Sequence, residues 1–312
     1  MEAIRTYDLA KYYGSVRALD GIDLDIREGE IFTILGPNGA GKTTFLLLLA
    51  TVLKPTRGTA VIKGLDIRRD DKRVREIVGI AFQNPQLYWR LTPYEILRFH
   101  ASIYGIRGLE RDRRLSLVMK RLGIEGFSRR MSALLSGGEA KRVEVAKVLI
   151  QRPEVAIFDE PTAMVDLEGR HIIWEEIRRL RDEGSTVIVA TNEVYEAEVL
   201  SDRVAIIDRG RLIDVGTPRE LKDKIPAGDL IEIKVQGRPD PRVGDMIKGS
   251  FNVTELVIGE SHIILRMPES RKKLADLIKI VSELGAKIEA INIRELTLDD
   301  VFLYYTKKRI LQ

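Results

Sequence analysis

The chain has 312 residues, 44% hydrophobic and 31% charged, enough apolar material for one large core or two smaller ones, which excludes a disordered or low-complexity chain. A net charge of +4 and a pI near 9.1 are too mild for a polyanion-binding surface over the whole molecule, so no nucleic-acid partner is expected. Cysteine is absent, which removes disulfide frameworks, thiolate metal sites and cysteine nucleophiles together.

The opening residues, Met1 to Asp8, carry no apolar run of the secretory kind, and a cytoplasmic chain is expected. Ile31 to Leu35 is the first short, β-branched apolar run and reads as a buried parallel strand. Directly after it, Gly36-Pro37-Asn38-Gly39-Ala40-Gly41-Lys42-Thr43 fits the pattern G-x-x-x-x-G-K-S/T, followed by Thr44 and a predicted helix. By chance alone the pattern would occur in roughly one chain in a hundred of this length. Its glycines let backbone N–H groups turn inward around phosphate oxygens, and the helix N-terminus adds unpaired donors. Lys42 then neutralises the β- and γ-phosphates, and the Thr43 hydroxyl ligates Mg²⁺, so ATP and Mg²⁺ are the expected cofactors. The longest apolar stretch, Phe45 to Leu53, is too short to cross a bilayer core of about 30 Å.

Thr92-Pro93-Tyr94-Glu95 has a helix start's capping residue, proline and glutamate, and Thr217-Pro218-Arg219-Glu220 repeats that grammar. Leu135-Ser136-Gly137-Gly138-Glu139 opens another helix, with Ser136 as cap and Val143, Ala146, Leu149 and Ile150 on one face. Its glycines and free hydroxyl make either a second anion site or an ordinary helix cap. Val155 to Phe158 is a second buried strand that delivers Asp159 and Glu160 to its end. Asp159 is placed to hold Mg²⁺ and Glu160 to polarise the attacking water; taken alone, the pair would be a solvated strand end. Val187 to Ala190 is the third buried strand, and alternation of strands with helices predicts an α/β layer.

From Lys224 to Asp229 turn residues accumulate, including Pro226, Ala227 and Gly228, and a domain boundary is expected there, dividing the chain into 1–224 and 225–312. Beyond it, strands are expected at Leu230 to Val235, on both sides of Gly259 within Leu256 to Leu265, and at Ile288 to Ile293. Leu274, Leu277, Ile278, Val281 and Leu284 form one helical stripe closed by Gly285, and Leu298 to Tyr305 reads as a last helix. The result is a small α+β module without evident chemistry, and no internal repeat is found.

Residues 1 to about 222 resemble the nucleotide-binding subunit of an ABC transporter, through the spacing of the phosphate loop, Gln83, Leu135 to Glu139 and Asp159-Glu160. The resemblance implies a P-loop NTPase α/β domain with a helical subdomain at about 84–150. It also implies a head-to-tail dimer in which Ser136, Gly137 and Gly138 of one copy face the γ-phosphate held by the other, as homodimer or heterodimer. Tyr13 matches the aromatic residue that stacks on adenine, although a tyrosine near a strand is otherwise core. Gln83 matches the glutamine that touches Mg²⁺ and leads into the helical subdomain. Leu87, Tyr88 and Trp89 suit contact with a permease helix or simple packing. Asp166 matches the aspartate that links the two sites, but Ala163-Met164-Val165 before it departs from the family's small-glycine-leucine pattern.

A larger departure is Asn192, which stands where the family has histidine, while His100, His171 and His262 are not placed to substitute. Asn192 then serves at the switch position, hydrogen-bonding without charge and supporting slower hydrolysis, or acts as a neutral helix cap. The tail Glu295 to Leu303 resembles that of ATPases of drug-resistance-type and related type II exporters, implying export of a lipid-like, drug-like or polysaccharide substrate. An integral membrane permease subunit and a peripheral place on the cytoplasmic face of the membrane are implied with it. The C-terminal module braces the dimer, regulates closure or merely packs. Competing readings are a soluble ATP-driven clamp on a non-membrane complex and a weakly hydrolysing regulatory subunit.

Overall fold

The computed structural model describes residues 1–225 and 228–310, so Pro226 and Ala227 of the turn-rich run lie outside the described residues. The chain divides into two compact units, Met1–Thr217 and Pro218–Gln312. The division precedes the expected 224/225 boundary because a short helix at Pro218–Asp223, with Leu221 buried, packs on the last helix of the second unit.

The first unit runs β1 (Glu2–Tyr13), β2 (Val16–Arg27), β3 (Ile31–Leu35), α1 (Lys42–Leu49), β4 (Arg57–Ile62), β5 (Leu65–Asp66), α2 (Asp71–Ile77), β6 (Val78–Ala81) and α3 (Pro93–Ile103). It continues with α4 (Gly108–Arg121), α5 (Gly137–Gln151), β7 (Val155–Asp159), α6 (Leu167–Asp182), β8 (Thr186–Thr191), α7 (Val194–Leu200), β9 (Arg203–Asp208) and β10 (Arg211–Gly216). Two sheets form, β2-β1-β4-β5 and β10-β9-β3-β8-β7-β6. In the second, all pairs from β9 to β6 are parallel and β10 is an antiparallel edge.

The three apolar runs become its central strands because both of their faces are buried. Ala156, Phe158, Val187 and Val189 face a core built with α3 to α6, whereas Val155, Ile157, Ile188 and Ala190 face a second core with α1 and the antiparallel sheet. Strands β1 and β2 carry a weaker sequence signal, since register shifts interrupt their pairing and Asp8 sits at a φ of 46°, breaking the alternation. The Thr92 start holds: its hydroxyl accepts from the Glu95 amide at 3.3 Å, and the Glu95 carboxylate accepts from the Thr92 amide at 2.9 Å. The apolar stretch from Phe45 is helical only as far as Leu49. Among the described residues no helix is long and apolar enough to cross a membrane.

The second unit begins with α8 (Pro218–Asp223) and continues β11 (Asp229–Gln236), α9 (Arg242–Ser250), β12 (Glu255–Ile258), β13 (His262–Met267), α10 (Ser270–Glu283), β14 (Lys287–Arg294) and α11 (Leu298–Ile310). The antiparallel order β12-β13-β11-β14 around a β-α-β-β-α-β path is the ferredoxin-like arrangement. Ile231, Ile233, Ile263 and Leu265 meet Val243, Ile247, Leu277 and Val281 across its core. Helix α9 escapes sequence reading because Gly244 and Gly249 weaken its helical signal. Gly244 faces the sheet closely: a Cβ there would stand 2.8 Å from Ile258 Cδ1, so a larger residue would make that side chain shift.

Candidate nucleotide site

The phosphate loop leaves the end of β3 between two neighbours that fix its path. The Gly36 amide donates to the Thr191 carbonyl at 3.4 Å, and a Cβ on Gly36 would fall 2.2 Å from the Ile207 carbonyl oxygen. Gly41 has a φ of 104° and would place a Cβ 2.4 Å from the Ala18 carbonyl, whereas Gly39, at a φ of 80°, faces open space. Ala40 is buried, and Pro37, Asn38, Thr43 and Thr44 keep some exposure around the opening. Helix α1 starts with no side-chain cap, so its first N–H groups stay available to an anion.

Lys42 is folded back into the loop, donating to the Gly36 and Pro37 carbonyls at 2.8 and 3.2 Å, with Glu160 Oε1 4.0 Å away. Burial pushes its pKa down, while Glu160 and Asp159 pull the other way. Strand β7 brings those carboxylates to the same place. Burial raises the Asp159 pKa, opposed first by a hydrogen bond from the Thr43 hydroxyl. Asp159 Oδ1 is buried and has no protein partner. An oxygen so placed beside a hydroxyl fits a divalent cation completed by phosphate oxygens and water. Such a site needs no cage of side chains, and among the described residues no group of three or more histidines, aspartates or glutamates is arranged to hold a metal ion by itself.

Glu160 adopts a left-handed φ of 46°, anchored by its amide donating to the Ala190 carbonyl at 2.8 Å. Its Oε2 accepts from the Gln83 side-chain amide at 3.1 Å. Asn192 lies beside the phosphate loop, its Nδ2 donating to Asn38 Oδ1 at 3.1 Å. It is not a helix cap, because α7 starts at Val194 with Glu193 as its cap residue. Of the histidines, His100 lies on α3, His171 packs on Trp174, and His262 belongs to the second unit. Tyr13 is 48% exposed at the end of β1, with Lys11 Nζ 5.2 Å from its ring centroid, so the core alternative fails.

Ser136, Gly137, Gly138 and Asp166 form a separate group. Ser136 caps α5 in a reciprocal capping box with Glu139, and Asp166 caps α6, accepting from the Gly169 amide at 3.0 Å and from Arg142 at 3.2 Å. Met164, at a φ of 64°, lies between the two helix starts. A Cβ on Gly137 would be 3.0 Å from its sulfur, and one on Gly138 would be 3.0 Å from its carbonyl. Among the described residues, no hydrogen bond joins this group to the phosphate loop.

Sequence reasoning missed the buried charges of α5. Lys141 Nζ donates to the Gln83 carbonyl at 2.5 Å and the Phe82 carbonyl at 3.1 Å. Glu144 accepts from the amides of Phe82 and Gln86 and pairs with Lys147 at 2.7 Å. Together they hold the segment that carries Gln83. The detectable signal was a run of polar residues three apart on a helix already apolar on its other face. Beyond that segment Tyr88 and Trp89 are more than half exposed, while Leu87 packs on the core. Tyr88 and Leu87 line a groove of about 350 Å³ with Phe99, Ile103 and His100, whose pKa burial lowers to about 4.

A family model described as ABC transporter matches residues 19–163. The daunorubicin resistance ATP-binding protein DrrA2 of Streptomyces coeruleorubidus is 33% identical over 309 residues, covering 98% of this chain and 96% of that protein. The chain belongs to the ATP-binding proteins of ABC transporters. The linearmycin resistance ATP-binding protein LnrL of Bacillus subtilis is 27% identical, covering 98% of this chain and 99% of its own. Among solved structures, the dimeric ATP-binding cassette MJ0796 in a post-hydrolysis state with ADP and Pi superimposes with a TM-score of 0.64 at 27% identity, covering 69% of this chain and 98% of that one. As a member of this family the chain is an ATPase with the P-loop NTPase fold.

The two loop glycines separate steric from conformational strain in this ABC ATPase. Gly41→Ala should abolish measurable ATP binding by fluorescent-nucleotide titration, since its methyl meets fixed backbone. Gly39→Ala, which meets only an unfavourable φ, should weaken binding by about tenfold or less. Equal effects would show that the Ala18 contact does not shape the loop.

Proposed function

We propose that this ATPase works as a pair of copies, identical or complementary, on the cytoplasmic face of a membrane, driving export through a separate integral permease subunit. The carrying observation is the convergence of Lys42 and Gln83 on Glu160 beside Asp159, which supports hydrolysis at a site made by one copy. A second copy is supported by the group at Ser136, Gly137, Gly138 and Asp166, whose helix starts offer donors yet bond nothing of the chain's own phosphate loop. In this assignment the backbone from Gly36 to Thr44 (Gly36, Pro37, Asn38, Gly39, Ala40, Gly41, Lys42, Thr43, Thr44) cradles the phosphates and Tyr13 stacks on the base.

Thr43, Asp159 and Gln83 would hold Mg²⁺, which when bound neutralises charge on the β- and γ-phosphate oxygens. Lys42 leaves its carbonyl partners for the phosphates, and Gln83 and Lys42 hold the Glu160 carboxylate where it accepts the proton of the attacking water. Asn192, already paired with Asn38, orients the loop toward the γ-phosphate by hydrogen bonding alone. The groove beside Leu87 and Tyr88 is the surface offered to the permease. The names of relatives, for daunorubicin and linearmycin resistance, favour a drug-like or lipid-like substrate.

Glu160→Gln should retain ATP affinity, lower steady-state phosphate release by about a hundredfold or more and accumulate a nucleotide-bound dimer on size exclusion; undiminished turnover would remove the role given to Glu160. Asn192→His should raise turnover, and an unchanged or lower rate would count against a switch role for Asn192. Isolated from native membranes in mild detergent, the protein should carry a polytopic membrane protein in stoichiometric amount. A soluble partner alone would overturn the transporter assignment and leave a cytosolic clamp.

A further inference from the structure

The most deeply buried of the carboxylates outside the machinery described so far, among the described residues, is that of Glu196. Glu196, in the first turn of α7, is 1% exposed, and its Oε1 accepts two hydrogen bonds of 2.8 Å, from the Thr162 hydroxyl and from the Trp174 indole. Thr162 and Trp174 are themselves 2% exposed. The indole is held between His171 and Tyr195, whose ring centroids lie 5.1 and 5.9 Å away. Burial drives the Glu196 pKa up, while hydrogen bonds from Trp174, Thr191 and Thr162 and the charge of Arg170 oppose it. A packed apolar side chain would fill this position without desolvating a carboxylate, so burial alone does not account for a glutamate here.

The partners come from three segments that carry site residues. Thr162 stands two residues after Glu160 in a turn closed by the Ala163 amide on the Glu160 carbonyl at 3.2 Å and the Val165 amide on the Thr162 carbonyl at 3.2 Å. Trp174 lies on α6, which Asp166 caps. Glu196 itself follows Asn192 by four residues, and the Glu193 amide between them donates to the Thr191 hydroxyl at 3.0 Å. Glu160 and Met164, on either side of Thr162, both hold left-handed backbone, at φ of 46° and 64°. Such conformations persist only where surrounding bonds over-determine them. Thr162 is the anchored residue between these strained positions.

We propose that Glu196 is a positioning residue for ATP hydrolysis, a buried junction that holds the turn after Glu160, the helix capped by Asp166 and the helix following Asn192 in one arrangement. Through Thr162 it keeps the Glu160 carboxylate against Lys42 and Gln83. The proposal rests on the role assigned to Glu160 above.

The experiment measures kcat per nucleotide-binding site, KM for ATP and thermal midpoint in the full chain, with Glu160→Gln as reference. Thr162→Val keeps the shape and removes the donor; it should lower kcat by about tenfold or more with KM within about threefold. Glu196→Gln retains an acceptor oxygen and should keep kcat within about threefold of wild type, whereas Glu196→Ala should match Thr162→Val. The double variant Thr162→Val with Glu196→Ala should be no slower than either single one, because both remove the same bond. If Glu196→Ala does not fold, Thr162→Val and Glu196→Gln carry the test. A Thr162→Val enzyme with wild-type kcat per site, or a loss confined to thermal midpoint, overturns the proposal. Normal turnover of Glu160→Gln would instead overturn the assignment on which it rests.

Discussion

Parallel pairing sets Leu35 opposite Thr191 and Asp159 opposite Ala190, so β3, β8 and β7 end side by side at one level. From that edge the phosphate loop, the Asp159-Glu160 pair and Asn192 all emerge within hydrogen-bond reach of each other's backbone: the Gly36 amide reaches Thr191, and the Glu160 amide reaches Ala190. The site is therefore a consequence of register. A slip of one residue in any of the three strands would reverse its buried side chains and withdraw its loop from the group. Burial of both strand faces, with alternate residues committed to two different cores, makes such a slip costly.

On this apolar frame the molecule places several buried charges, held by a neighbouring loop or by elements more distant in sequence. Lys42 is held by the loop's own carbonyls, Lys141 by the carbonyls of Phe82 and Gln83, and Glu144 by amides of the same segment. Removing charges from water is expensive, and burial shifts Lys42 and Lys141 downward and Asp159 and Glu196 upward in pKa. The return is geometric, since a charged group with several partners at fixed angles specifies a loop position more sharply than apolar contact does. Helix α5 thereby positions the segment that carries Gln83, while its N-terminus starts at Ser136.

The second unit obeys separate rules. Its β-α-β-β-α-β path closes an isoleucine-rich sheet face under α9 and α10, a solution open to many unrelated sequences, so the arrangement speaks to stability before function. Gly244, which weakens the helix locally, is also where α9 comes near the end of the Ile258 side chain.

Local chemistry by itself determined the phosphate loop, the capped starts at Thr92 and Ser136, the three buried strands, the carboxylates at the end of β7 and, in the C-terminal module, the strands and the helices α10 and α11, though not α9. Each of these is written in neighbouring residues, through alternation, turn-forming glycine or a side chain bonding its own backbone. Tertiary structure decided what depends on partners far along the chain: that Asn192 meets Asn38 and does not cap α7, that Tyr13 is exposed, that Met164 covers Gly137 and Gly138, that α8 belongs to the second unit, and that Lys141, Glu144 and Glu196 are buried. Polar residues on a helix read as solvent-facing until another element supplies their partners. Those partners arrive only when elements tens of residues apart in sequence pack together, because hydrogen bonding and desolvation are properties of the assembled interior and not of a stretch of chain.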